Sequence, residues 1–200
     1  MYKYVNRGKH IYIKNLRGFK MIFIGIISEY NSFENIKNIL KNNYIKDIKL
    51  IHINQNSIEN IKNIKFETLI IDSNLRDYQK ETKIIKEIAA NAKYLILNTD
   101  INILTLEIKS WNANLITYGL NRKATITISS ISESGILIYL QRNLKDTNGD
   151  ILEIGEDLVR VNEESKLKIY EILIVYTILL IKQKSIIKEL QENSNFFEQN

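Results

Sequence analysis

Cysteine and proline are both missing from the 200 residues. Without cysteine, disulfides, thiolate metal sites and thiol nucleophiles are excluded. Without proline, the loops must be turned by Gly, Asn, Asp and Ser. Histidine is scarce: His10 and His52 lie far apart in sequence, with neither the spacing of a catalytic triad nor that of a metal site. His52 lies in an apolar run and reads as a strand residue with a satisfied ring. No run reaches the roughly 18 uninterrupted apolar residues of a membrane span. The nearest, Ile172 to Ile181, is bracketed by Lys168, Glu171, Lys182 and Lys184, and reads as a buried helix. The N-terminus has no apolar core followed by a small-residue cleavage site, so a cytoplasmic location and no membrane partner are expected.

Acidic residues are absent from residues 1–20. These carry Lys3, Arg7, Lys9, Lys14, Arg17 and Lys20, a charge of +6 that leaves −1 for the rest of a chain whose total is +5. A nucleic-acid partner is therefore expected only through residues 1–20, if at all. Tyr2, Tyr4 and Tyr12 alternate there with basic residues around a turn at Arg7-Gly8-Lys9. That pattern suits a hairpin that stacks on single strands, a solvated appendage, or sequence upstream of a start at Met21. The abundance of Ile, Asn and Lys is what A+T-rich codons give, so individual positions must carry the function.

From Phe66 to Leu120 the sequence spells strand, helix, strand, short helix, strand. Thr68-Leu69-Ile70-Ile71, Tyr94-Leu95-Ile96-Leu97 and Leu115-Ile116-Thr117-Tyr118 are short, unalternating runs, as strands buried on both faces should be. Each ends in small polar residues, Asp72-Ser73-Asn74, Asn98-Thr99-Asp100 and Gly119, and ligands bind at such carboxyl ends in open parallel sheets. Strands are also expected at Met21 to Ile27 and Ile48 to Ile53. Helices are expected after Ser32, with Asn31 and Glu34 as a capping box, and from about Asp77 to Asn91.

After Gly119 the pattern changes. Ala124 to Ser130 alternates with period two, Ile136 to Leu140 and Asp150 to Ile154 return, and the turns fall at Ser132–Gly135 and Asp146–Gly149, where the pair Asn148-Gly149 suits a tight hairpin. Glu153, Glu156 and Asp157 around Gly155 read as a solvated acidic turn, and Trp111 as packed on the sheet. A closing helix runs from Glu164 to about Leu190. The fold class is α/β: a mostly parallel open sheet with flanking helices, a C-terminal antiparallel meander and a closing helix. The organisation expected is a basic extension at 1–20, one α/β domain at 21–190 and a frayed tail at 191–200.

This order of elements resembles the central nucleotide-binding domain of the Mur ligase family, over roughly residues 21 to 185. The wording matches best where Tyr94-Leu95-Ile96-Leu97-Asn98-Thr99-Asp100 is similar to the strand ending in an Asn-x-Asp turn. Asn114-Leu115-Ile116-Thr117-Tyr118-Gly119-Leu120 is similar to the strand ending in Tyr-Gly, and Ala124 to Ile128 to the antiparallel strand that follows. Ile169-Tyr170-Glu171-Ile172-Leu173 falls where the family has its closing helix. The resemblance implies ATP and magnesium, with amide-bond formation as the coupled reaction.

The phosphate loop departs from that pattern. Its counterpart here is Gly25-Ile26-Ile27-Ser28-Glu29-Tyr30-Asn31-Ser32-Phe33, with Ser32 where the lysine would stand and Ser28 and Asn31 at the glycine positions. A phosphate would lose its main cation and meet Glu29 instead. Asp72 matches the position of an acidic residue that helps hold magnesium, although a lone carboxylate at a strand end is more often a helix cap or turn acceptor. The segment from Asp72 to Asn98 holds neither the family's histidine motif nor its modified lysine. No amino-acid-binding domain is expected after the closing helix, because the sequence stops at Asn200.

The resemblance thus implies a non-catalytic domain in a bacterial cytoplasm, bound to a protein partner or small molecule, without ATP, magnesium or another cofactor unless the fold outweighs the lost motif. The alternative is an enzyme or sensor that takes a nucleotide or metabolite at the carboxyl ends. The candidate binding residues are Asp72, Asn98 and Asp100, with no catalytic or metal-ligating residue.

Overall fold

Runs of Ile and Leu without polar alternation build the middle of the sheet, because both sides of those strands are covered. The computed structural model describes residues 21–42, 48–102, 108, 111, 113–160 and 168–182. The expected hairpin at 1–20 with His10, the short helix between Asp100 and Ala113 for the most part, the closing helix beyond Lys182, and the tail lie outside the described residues; the closing helix begins at Ile169 rather than Glu164, since Lys168 before it is not helical.

Strands β1 (Ile22–Ile27), β2 (Ile48–Ile53), β3 (Thr68–Ile71), β4 (Tyr94–Asn98), β5 (Asn114–Tyr118), β6 (Ile126–Ser132), β7 (Gly135–Leu140) and β10 (Gly155–Val159) form one sheet. Their order is β10-β7-β6-β5-β4-β3-β1-β2. From β2 to β6 all neighbours are parallel, whereas β6, β7 and β10 pair antiparallel. The protein is therefore an α/β fold with a mostly parallel sheet. A two-stranded ribbon, β8 (Leu144–Lys145) with β9 (Ile151–Leu152), stands apart from it.

Helices α1 (Tyr30–Asn42) and α4 (Ile169–Lys182) cover one face. Their core joins Phe33, Ile36 and Leu40 to Ile24, Ile70 and Ile96 of the sheet and to Leu173, Val175 and Ile178. Helices α2 (Ile58–Ile61) and α3 (Thr82–Asn91) cover the other, where Ile85, Ile88 and Trp111 pack on Leu69, Leu95 and Leu97. The middle of α4 is apolar all round and is buried from Glu171 to Lys182, as its composition requires.

Four further expectations are corrected. The helix of 77–91 is two elements, a 3-10 turn at Leu75–Tyr78 and α3, and Asn74 caps the turn by accepting from the Arg76 amide at 3.0 Å. Helix α1 starts at Tyr30, so Asn31 lies inside it, and the Glu34 carboxylate is held by Lys37 Nζ at 2.8 Å rather than by the helix end. The Asn148-Gly149 pair makes no two-residue hairpin: residues 146–150 wrap the Asp146 carboxylate, which accepts from the amides of Asn148 and Asp150 at 2.8 and 2.9 Å. The supposed acidic turn is strand β10, and it, not Asp150 to Ile154, returns to the sheet. The Asp157 carboxylate there accepts a hydrogen bond from the Tyr176 hydroxyl at 2.6 Å, an acceptor role that draws it out of solvent.

Candidate functional site

The strand order reverses at β1, which lies between β2 and β3. In open sheets of this kind the crevice opens outside the carboxyl ends at that reversal. Ser28 and Asp72 follow β1 and β3 there; Asn98 closes β4 one strand further along, and Asp100 follows it.

The first turn bonds to its own chain, with Ser28 and Ser32 buried and Glu29, Tyr30 and Asn31 exposed between them. Ser28 is buried, and its hydroxyl donates to the Glu29 carbonyl at 3.0 Å. His52 Nε2 lies 2.9 Å from the Ser28 carbonyl, so that nitrogen carries the proton and donates. Its ring is flanked by Phe33 and Tyr30 with centroids 5.0 and 5.6 Å away, and is satisfied as a strand residue. A lysine from a distant segment does reach the turn, yet Lys168 Nζ lies 3.7 Å from Glu29 Oε2 and is answered by that carboxylate. Ser32 is buried in α1. Gly25 sits inside β1, where an added Cβ would come within 2.7 Å of Ile53 and 3.1 Å of the Phe66 ring. Packing alone accounts for that glycine.

Asp72, Asn98 and Asp100 belong to one network. Asp72 Oδ1 accepts from Asn98 Nδ2 at 2.9 Å and from the Tyr118 hydroxyl at 2.5 Å. Asn98 is buried, and its own Oδ1 accepts from the Asp100 amide at 3.0 Å. The Asp100 carboxylate accepts from the Leu120 amide at 2.6 Å, Asn121 Nδ2 at 2.7 Å and the Tyr170 hydroxyl at 3.1 Å. It presses on Gly119, whose φ is +154° and whose missing Cβ would lie 2.8 Å from Asp100 Oδ1. Buried Asn102 ties the loops after β3 and β4 by accepting from the Leu75 amide at 2.8 Å and donating to the Ser73 carbonyl at 3.0 Å. Buried Glu171 accepts from Asn35 Nδ2 at 3.2 Å and the Lys168 amide at 3.0 Å.

Tyr118, Asn102, Asn121, Tyr170 and Glu171 were not among the residues expected from sequence. Asn121, two residues after the turn glycine, is of a type that local turn chemistry could have singled out, whereas Tyr118 beside that glycine reads as the end of a buried strand.

The electrostatics follow from burial. Loss of water raises the Asp72 carboxyl above its ordinary value, the donors Asn98 and Tyr118 oppose that shift, and the charges of Glu171 and Glu29 add to it. Burial raises the Tyr118 hydroxyl well above its ordinary value, and the charge of Asp72 and the hydrogen bond to it push the same way. Both groups of the short hydrogen bond therefore hold their protons more tightly than in water. Among the described residues no group of three or more His, Asp or Glu is placed to hold a metal ion, and no helix is long and apolar enough to cross a membrane. No family model matches the chain, and a search of curated proteins returned no match.

A carboxyl whose folded pKa is raised binds its proton in the folded state at pH values where the unfolded chain has lost it. Stability from this group therefore falls as pH rises from about the ordinary carboxyl value of 3.8 through the raised folded value. Asp72→Asn keeps an oxygen acceptor and cannot ionise. Thermal melting from pH 3 to 8 should show the variant gaining on the wild type as pH rises through that window; a constant offset would show that Asp72 does not titrate there.

Proposed function

We propose that the chain is a Mur ligase-like, non-catalytic binding or scaffolding domain in which ATP hydrolysis has been lost. The observation that carries this reading is the first turn, where Lys168 is engaged by Glu29, the Ser28 carbonyl by His52, and a buried serine stands in place of the phosphate lysine. A triphosphate needs amides and a free cation facing one opening, whereas the cation that reaches this turn, Lys168, faces the Glu29 carboxylate. The carboxyl-end polar groups are bonded to one another, an arrangement that joins β3, β4 and β5 rather than holding a reacting group. A bacterial cytoplasmic setting, with a protein or small molecule as partner, belongs to the same proposal.

Isothermal calorimetry with ATP and magnesium should give no saturable heat, and micromolar affinity would overturn the reading. A second reading has one observation in its favour: Asp100 is exposed and Asp72 half-buried at the strand ends, so both could receive donors from a small ligand. A metabolite that raises the melting temperature of the wild type but not of Asp72→Asn would favour that sensor or enzyme instead.

A further inference from the structure

The two edges of the large sheet are matched to each other. Among the described residues no strand lies beyond β2 on one side or β10 on the other, so each leaves a row of backbone donors and acceptors unpaired by the sheet. The two strands run the same way, since β2 through β6 are parallel and β6 and β10 are both antiparallel to β7.

They also present the same sheet face. On β2, Ile51 and Ile53 pack into the core beneath α2 and α3, and Lys49 shares their face by alternation. On β10, Val159 packs into the opposite core and Asp157 reaches Tyr176 of α4, which leaves Glu156 and Leu158 on the face of Lys49 and Ile51. Lys49 and Glu156 are exposed, and Ile51 and Leu158 are half-exposed. A charged residue followed two positions later by an apolar one thus recurs on both edges in the same direction, with opposite sign of charge.

We propose that β2 of one copy adds to β10 of the next in parallel register, setting Lys49 beside Glu156 and Ile51 beside Leu158. Like edges lack this charge pairing, because a two-fold axis sets two β2 strands or two β10 strands antiparallel, and at fullest overlap Lys49 or Glu156 then faces an apolar residue instead of an opposite charge. Opposite edges attract. The contact joins two different surfaces, so each added copy still offers one edge of each kind and growth does not close at a dimer. The area is that of a single strand pair, in the range of weak encounters below about 1,200 Å². Assembly therefore appears on concentrating the protein and is reduced by salt, which screens the exposed pair.

Sedimentation velocity on the full chain tests this. The weight-average sedimentation coefficient should rise with concentration without a plateau at dimer. Lys49→Glu and Glu156→Lys should each require about tenfold higher concentration for the same increase. Each variant alone carries like charges on both edges, whereas an equimolar mixture restores two complementary junctions and should sediment faster than either component. That recovery cannot arise from misfolded protein. A monomer at every concentration, a closed dimer, single variants that assemble like the wild type, or a mixture no larger than its components would each overturn the proposal.

Discussion

Gly119→Ala should be the most damaging single-methyl change at the carboxyl ends, costing about 3 kcal/mol in urea denaturation. Two effects combine. The backbone φ of +154° is one that side chains rarely adopt, and the new Cβ would lie 2.8 to 2.9 Å from the Asp100 carboxyl atoms. Those atoms cannot withdraw cheaply, because the Leu120 amide, Asn121 and Tyr170 hold them. Gly149 supplies the control: its φ is +93° but nothing lies within 4 Å of an added Cβ. Gly149→Ala should therefore cost only the backbone penalty, about 1 kcal/mol. Equal losses at the two positions would show that Asp100 yields and is not fixed by its donors.

Tyr118→Phe should cost about 2 kcal/mol, the range for a hydrogen bond to a charged group. The ring stays buried, so packing changes little; what is lost is the hydroxyl that donates to Asp72 at 2.5 Å. Asn98 is then left as the donor to that oxygen. The sign of the pH dependence follows. The tyrosine bond lowers the Asp72 pKa against the larger effect of burial, so its removal raises that pKa further. The deficit of Tyr118→Phe relative to the wild type should widen as pH rises through the Asp72 titration and be smallest in acid. In the Asp72→Asn background the same substitution should show no such widening. A deficit independent of pH in both backgrounds would mean that the two groups are not coupled.

The parallel half of the fold was legible because burial on both faces writes itself locally. Ile70-Ile71 and Leu95-Ile96-Leu97 have no other reading than a covered strand, and the pattern of α3 marks its buried face through Ile85, Ile88 and Ala89. The acidic strand β10 was not legible. Its Gly-Glu-Asp opening looks like a turn, and only the Tyr176 hydroxyl and the hydrogen bonds to β7 make it a strand. The site was read in the same uneven way. Asp72, Asn98 and Asp100 stood out as polar residues ending apolar runs. Tyr118 did not, because a tyrosine at a strand end reads as core until Asp72, 46 residues away, is placed beside its hydroxyl. Glu171 and Asn35 are separated by 136 residues, and nothing local marks their contact. Local signals thus locate the strand ends, and long-range contacts decide whether those ends face a ligand or one another.

Site-resolved titration addresses the central claim most directly, that the carboxyl-end crevice is closed by its own side chains against a phosphate. In nitrogen-15 NMR spectra of the full chain with millimolar magnesium and ATP, the amides of Ser28, Glu29, Tyr30, Asn31, Ser32 and Asp72 should keep their positions throughout. Saturable shifts concentrated in the Ser28 to Ser32 turn would contradict it.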